Sequence, residues 1–271
     1  MISTEILART RNFQEMHKVA ISGQGTTTVV LANGFGTDQT MWNRILPWLE
    51  RRYRVIRFDW LIDPHHYDCS RYATLNGFAD DLQALLITTD ASPCLYIGHS
   101  MSGMIGMLAA KRAPERFRSM VMVAPSPCYV NRPGYHGGFE PAQIEQLLHD
   151  LGGDYMNWVN NFSPLAVAAP PDHPEVAEFT RSLLAMRPDV AFSMALSVFK
   201  MDMRDQLGGF DIPTTIVQTR HDLAVPAAVA EYLHAHWPQS RIEFIDASGH
   251  FPHMTAAPQL IDILARVLPA Q

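Results

Sequence analysis

Residues 94–106 read Cys94-Leu95-Tyr96-Ile97-Gly98-His99-Ser100-Met101-Ser102-Gly103-Met104-Ile105-Gly106. A short apolar run enters, a turn of small residues follows, and an apolar run at helical spacing leaves. A serine at such a strand-to-helix elbow sits in a strained turn with its hydroxyl exposed at the carboxyl edge of a sheet, where it can act as a nucleophile. The fit to G-x-S-x-G is incomplete, because Ser102 takes the place of the second glycine. That place needs a small side chain so that the turn packs tightly, and serine nearly meets the need. Ser102 itself lies inside the first helical turn and is the weaker nucleophile candidate.

Outward from this elbow, strand-like and helical runs alternate. Thr27–Leu31, Tyr53–Phe58, Leu95–Ile97, Met120–Val123, Thr214–Gln218 and Ile242–Ile245 are short, apolar and rich in β-branched residues. Helical patterns fill the intervals at Asn43–Glu50, Leu75–Ile87, Ile105–Arg112, Val225–His236 and Pro258–Val267. Short apolar strands alternating with helices predict a mostly parallel sheet covered by helices on both faces, an α/β fold. Chemistry in such sheets gathers at the carboxyl ends of the strands.

The alternation stops between Pro127 and about Gly209. Helical patterns there occupy Pro141–Leu151, Asp154–Asn161, Pro174–Met186 and Pro188–Lys200, three of them opening on proline, which suits the first helical turn. In the last, Phe192, Leu196 and Phe199 form one stripe and Val190, Met194 and Val198 another, so both faces should be covered. An all-helical insert between sheet strands reads as a lid; an enlarged crossover with only a packing role is the alternative. The expected division is a core of 1–126 and 208–271 with a lid of 127–207.

Composition narrows the field. The chain has 271 residues, 47% hydrophobic and 18% charged, with a formal net charge of −6. That is enough chain for a large core, and the acidic balance gives no reason to expect a nucleic-acid or anionic-membrane surface. No apolar run approaches the roughly 18 residues that span a bilayer. Residues 1–12 carry Glu5, Arg9 and Arg11 without an apolar segment, so no secretory signal is expected, and Ile6-Leu7 should pack on the body. Cys69, Cys94 and Cys128 are scattered and odd in number, which argues for reduced thiols and a cytosolic home.

A serine hydroxyl is a poor nucleophile until a base takes its proton, and the base needs an acid to orient it. On this fold the partners follow in the order Ser, Asp, His. Asp222 follows a predicted strand and opens the next helix; His250 follows the last strand in Ser248-Gly249-His250-Phe251-Pro252. Ser100, Asp222 and His250 therefore all fall at strand carboxyl ends in the required order. Asp222 could instead be a helix N-cap. His253 competes with His250 but should face elsewhere, His99 should point into the fold as a packing residue, and Asp246 lies too close in sequence to reach the far nitrogen of His250. His65-His66 and His234/His236 show no ligand spacing, so neither a metal nor a cofactor is expected. The oxyanion hole needs two backbone donors. The amide of Met101 is one candidate and that of Phe35, in Asn33-Gly34-Phe35-Gly36-Thr37, the other, although Asn-Gly by itself is also explained by a turn.

Gly34-Phe35-Gly36-Thr37-Asp38-Gln39, Gly98-His99-Ser100-Met101-Ser102, Ser126-Pro127-Cys128-Tyr129-Val130-Asn131, Gly137-Gly138-Phe139-Glu140 and Ser248-Gly249-His250, with Asp63–Asp68 through Arg71-Tyr72, resemble the α/β-hydrolase group that includes the bacterial stress regulator RsbQ and the plant karrikin and strigolactone receptors. Ser102 is similar to the plant-receptor branch. Asn33 departs from the group, which usually has histidine there. The resemblance implies a Ser100–His250–Asp222 triad under a V-shaped lid of four helices, over a small, mostly apolar pocket. By motif, Phe35, Phe139 and Phe199 would line that pocket, with Tyr129, Trp158 and Phe162 beside them; core packing is the alternative for the lid aromatics other than Phe139, which stands beside Gly137-Gly138. The expected activity is serine hydrolysis of a small hydrophobic ester or butenolide-like lactone. The alternatives are a small-molecule sensor that signals to a partner protein through the lid, with slow hydrolysis, and a cofactor-free oxygenase or lyase.

Overall fold

The computed structural model describes residues 11–60, 65–207, 209, 211–237 and 239–269. Ile6-Leu7, Asp63-Pro64 and position 208, where the second core segment was expected to begin, lie outside the described residues. Among the described residues seven strands, β1 (Ala20–Ser22), β2 (Thr28–Ala32), β3 (Arg54–Arg57), β4 (Cys94–His99), β5 (Phe117–Val123), β6 (Thr214–His221) and β7 (Ser240–Ser248), form one sheet in the order β1-β3-β2-β4-β5-β6-β7. β1 runs antiparallel to β3, with Ala20 opposite Arg57, and every other pairing is parallel.

The helices around the sheet are α1 (Leu46–Glu50), α2 (Leu75–Thr88), α3 (Met101–Arg112), α8 (Ala227–His236), α9 (Pro252–Thr255) and α10 (Ala257–Val267). Between β5 and β6 come α4 (Pro141–Gly153), α5 (Tyr155–Val167), α6 (Pro174–Leu184) and α7 (Pro188–Phe199). Side chains on a strand alternate between faces, and β2 shows the result. Val29 and Leu31 enter one core with Leu46 and Leu49 of α1 and Leu260 and Leu264 of α10. Val30 and Ala32 enter the other, with Phe78 and Leu82 of α2, Met104 of α3 and Leu233 of α8. Both faces of the central strands are thus dry, which is why β2, β4 and the second half of β5 are buried without a break.

In the insertion, Pro141, Pro174 and Pro188 stand at the first helical positions. Asp154 caps α5, its side chain accepting from the Asn157 amide at 3.0 Å. α5 runs past the expected Asn161 to Val167, because Pro164 sits only one turn from the end and forgoes a single helical bond. Val190, Met194 and Val198 of α7 are buried, as is Phe199, while Phe192 and Leu196 are half-buried. No single described helix is long and apolar enough to cross a membrane.

Candidate active site

Ser100 stands between β4 and α3 with φ 55° and ψ −122°, a conformation that favours glycine and strains any other residue. The turn is held by the sheet: the Ser100 amide donates to the Val123 carbonyl at 2.8 Å. It is also tight. A Cβ on Gly98 would lie 2.7 Å from the Ser102 carbonyl oxygen, so only glycine lets the helix start so close to the strand. The elbow expected from the sequence is therefore present in its backbone.

Asp222 follows β6 directly, and His250 is the second residue after β7. Thr219 Oγ1 donates to the Gly249 carbonyl at 2.7 Å, clamping the two strand ends together. The three side chains meet: His250 Nε2 is 2.8 Å from Ser100 Oγ, and His250 Nδ1 is 2.7 Å from Asp222 Oδ2. All three residues are buried. A neutral imidazole that donates from Nδ1 to the carboxylate leaves Nε2 free to accept the serine proton.

Asp222 has a second task. Its Oδ1 accepts from the backbone amides of Ala224 (2.8 Å) and Val225 (3.0 Å), while Oδ2 faces His250 and accepts, at 3.3 Å, from Gln218 Nε2. The N-cap alternative is thus half right: the carboxylate caps a turn, but α8 starts only at Ala227, after Pro226. Oδ1 fixes the carboxylate's orientation, and Oδ2 meets the imidazole closely and the Gln218 side chain at longer range. Asp246 is exposed and takes no part.

The backbone of His250 is held from two sides. Its amide donates to the Ala166 carbonyl at the end of α5 (2.8 Å), and its carbonyl accepts from His99 Nε2 (2.8 Å). His99 is buried in the fold, as expected. His253 takes no part in the triad: its ring is buried 4.5 Å from that of His99 and 4.4 Å from Trp42, because the short helix α9 packs it down behind the site. Burial pushes both imidazoles down, helped by the neighbouring histidines, His99 strongly and His253 to about 3. Both stay neutral when folded, whereas the unfolded chain protonates them near 6.5. A folded pKa below the unfolded one gives stability that is full above about 6.5 and is lost as pH falls toward the folded value. Each such histidine contributes a limiting slope of about 1.4 kcal/mol per pH unit. Urea unfolding at pH 7 and pH 5 should therefore show a marked loss at pH 5, smaller in His253→Gln; equal stabilities at the two values would contradict this.

The Gly34–Gly36 loop and the elbow touch. A Cβ on Gly34 would lie 2.5 Å from His99 Nδ1 and 3.2 Å from Ser100 Cβ, so the chain entering Phe35 passes directly over the serine. Met101 opens α3, where an amide has no partner within the helix.

Phe35, Phe139, Phe199, Tyr129 and Phe162 surround a chamber of about 30 Å³ at Ser100 and His250. Phe179, Val198 and Phe251 complete it; only their apolar character, shared with dozens of core positions, marked them in the sequence. Trp158 is not on this chamber. It stacks on Phe162, centroids 4.6 Å apart, and lines an outer cleft of about 390 Å³ with Leu147, Leu165 and Leu223. Phe139, Phe162, Ala166 and Ala224 belong to both spaces and separate them. Tyr129 does more than line the chamber: its hydroxyl is 3.2 Å from Ser100 Oγ, and burial pushes its pKa up to about 12, so it stays a phenol able to donate to the serine. A hollow as large as the cleft lies by Ser119, Thr214, Gln239 and Arg241 at the other end of the strands; the described residues lining it include no base.

A doubly covered, mostly parallel sheet with serine, aspartate and histidine at its strand ends is the architecture of the alpha/beta hydrolases. Residues 27–257 match the alpha/beta hydrolase fold family, and the chain belongs to it. It is 40% identical over 264 residues to a strigolactone esterase of Arabidopsis thaliana, covering 95% of this chain and 98% of that protein. It is 39% identical over 258 residues to a karrikin insensitive 2 receptor of Petunia hybrida, covering 93% and 96%. Among solved structures it is similar to a hydrolase from Oleispira antarctica, with a TM-score of 0.91 and 33% identity over 95% of this chain and 96% of that one. The resemblance read from the loop and lid motifs thus extends over nearly the whole chain.

Proposed function

We propose that this protein hydrolyses small hydrophobic carboxylic esters, including butenolide-like lactones, through Ser100, His250 and Asp222. One observation carries the reading: the unbroken hydrogen-bonded line from Ser100 Oγ through His250 to Asp222 Oδ2, inside an apolar chamber. Ser100 Oγ attacks the carbonyl carbon as its proton passes to His250 Nε2. The carbonyl electrons move onto oxygen, where the amides of Phe35 and Met101 stabilise the charge; one such donor is worth roughly 3 kcal/mol. Collapse expels the alkoxide, which takes the proton from His250. Water then attacks the acyl-serine with His250 again as base, releasing the acid. With a lactone the expelled alkoxide stays tethered to the acyl group. Asp222 holds the imidazole in the tautomer that both halves need.

The substrate class follows from the lining. A small chamber walled by phenylalanines favours a compact apolar acyl group, and the helices of 127–207 act as a lid over a core of 1–126 and 208–271. Mass spectrometry after exposure to a butenolide library tests this directly, with an adduct expected on Ser100 or His250 and no adduct in Ser100→Ala. Phe162 divides chamber from cleft, so Phe162→Ala should raise kcat/KM for a hexanoate ester over the acetate by about tenfold. An unchanged ratio would place the acyl group somewhere else.

A second reading has its own observation. Met156 and Leu165 on α5 and Leu184 at the end of α6 are apolar and exposed at 63%, 60% and 39%, separate apolar positions that a partner protein could cover. The reading is then a small-molecule sensor whose hydrolysis is slow. Turnover below about 1 per second together with ligand-dependent capture of a partner would favour it. An oxygenase or lyase on the same fold would leave Ser100 dispensable.

A further inference from the structure

We propose that Ser102 is a positioning residue for the oxyanion hole, tying the loop that carries Phe35 to the helix that carries Met101. The inference rests on the hydrolase reading above. Ser102 is fully buried, and its hydroxyl donates to the backbone carbonyl of Asn33, 69 residues away in sequence and one residue before Gly34. Trp60 Nε1 donates to the same carbonyl at 2.8 Å and lies 3.1 Å from Ser102 Oγ. Both lone pairs of that carbonyl therefore have donors.

The rest of the knot holds its two ends still. The Asn33 side chain accepts from Trp42 Nε1 (2.8 Å) and donates to the Phe58 carbonyl (2.9 Å). Tyr96 donates from its hydroxyl to the Ser102 carbonyl at 2.7 Å. A serine in the first helical turn has local backbone acceptors or water available to it; this one reaches across to a different strand end.

Phe35 and Met101 are contributed by separate segments, and the distance between their amides must suit one oxygen. The Ser102–Asn33 bond is a direct side-chain link between those segments, starting one residue from Met101 and ending two residues from Phe35. Preset donors give much of their benefit because they need not reorganise as charge develops. Glycine at position 102 would fit the tight turn equally well but could not make this link. The departure of this chain from G-x-S-x-G is then a functional part of the elbow.

The test compares Ser102→Ala, Trp60→Phe and their combination, with Ser100→Ala as control. Activity is scored per active site titrated with a fluorophosphonate, and for Ser100→Ala, which has no serine to titrate, per mole of folded protein. Ser102→Ala should lower kcat about tenfold and leave KM within about twofold, since a misplaced donor loses part of the roughly 10²–10³-fold that a whole donor supplies. Affinity for a boronic acid, which makes a tetrahedral adduct on the serine, should fall by the same factor as kcat. Trp60→Phe removes the other donor to the carbonyl and should show a smaller loss of the same kind; it serves alone if Ser102→Ala does not fold. A purely structural serine would lower the unfolding midpoint and leave kcat per titrated site and boronate affinity unchanged, which would overturn the proposal. So would a loss confined to KM. Ester turnover surviving in Ser100→Ala would instead remove the hydrolase reading, and this inference with it.

Discussion

Ser100→Ala should lower kcat for p-nitrophenyl acetate by about 10⁵-fold or more, as expected when the nucleophile of an interdependent triad is lost. Circular dichroism should be unchanged, because the residue's backbone amide bond to Val123 survives. A companion variant makes the prediction specific to this structure. At φ 55° and ψ −122° any residue with a Cβ carries strain of about 1–3 kcal/mol. Glycine relieves it but adds about 0.5–1 kcal/mol of unfolded-state entropy. Ser100→Gly should thus be as inactive as Ser100→Ala yet more stable in urea by about 1 kcal/mol. Wild-type turnover in either variant would remove Ser100 from the mechanism; a less stable glycine variant would remove the strain.

Asp222→Asn should lower kcat by about 10⁴-fold with little change in KM, and the surroundings of Asp222 say why. An asparagine there has one oxygen and one amino group to place. The Ala224 and Val225 amides both point at the Oδ1 position, so the oxygen must go there. The amino group then faces His250 Nδ1 as a donor. Nδ1 must become the acceptor, the proton moves to Nε2, and Nε2 can no longer take the proton of Ser100. The reverse flip would set the amino group against two amide donors. The Asx turn therefore forces the unproductive tautomer, and activity within tenfold of wild type would refute the argument.

The sequence disclosed those parts of this arrangement that depend on short-range pattern. The central parallel strands are buried and apolar, and β3 and β7 keep enough apolar positions to show, so six of the seven described strands were visible, and the glycine-preceded serine marked the elbow between β4 and α3. β1 escaped notice because Ala20-Ile21-Ser22 is a three-residue edge strand whose pairing is a matter of backbone only. The carboxyl extensions of β6 and β7 also escaped, since after an irregularity in register they end on one pair, His221 opposite Ser248, and exposed positions such as Arg220 and Asp246 need no apolar side chain. Ser100, Asp222 and His250 were visible as strand-end residues in a definite order. The bond of Ser102 to Asn33 and the approach of the Tyr129 hydroxyl to Ser100 were not, because each joins segments that only tertiary folding brings together. Trp158 was assigned to the pocket by motif, but its stacking on Phe162 puts it one layer outside.

The amide of His250 hangs from the carbonyl of Ala166, at the last turn of α5. Residues 164–168 are Pro-Leu-Ala-Val-Ala, without one atom capable of acid, base or nucleophilic chemistry. Yet a mutation that unwinds this turn would let go of His250, the proposed base. In a genetic screen such alleles would be scored as null with every chemical group intact, and a map of deleterious changes would show a second hot spot some 80 residues upstream of the histidine, in a stretch that looks inert.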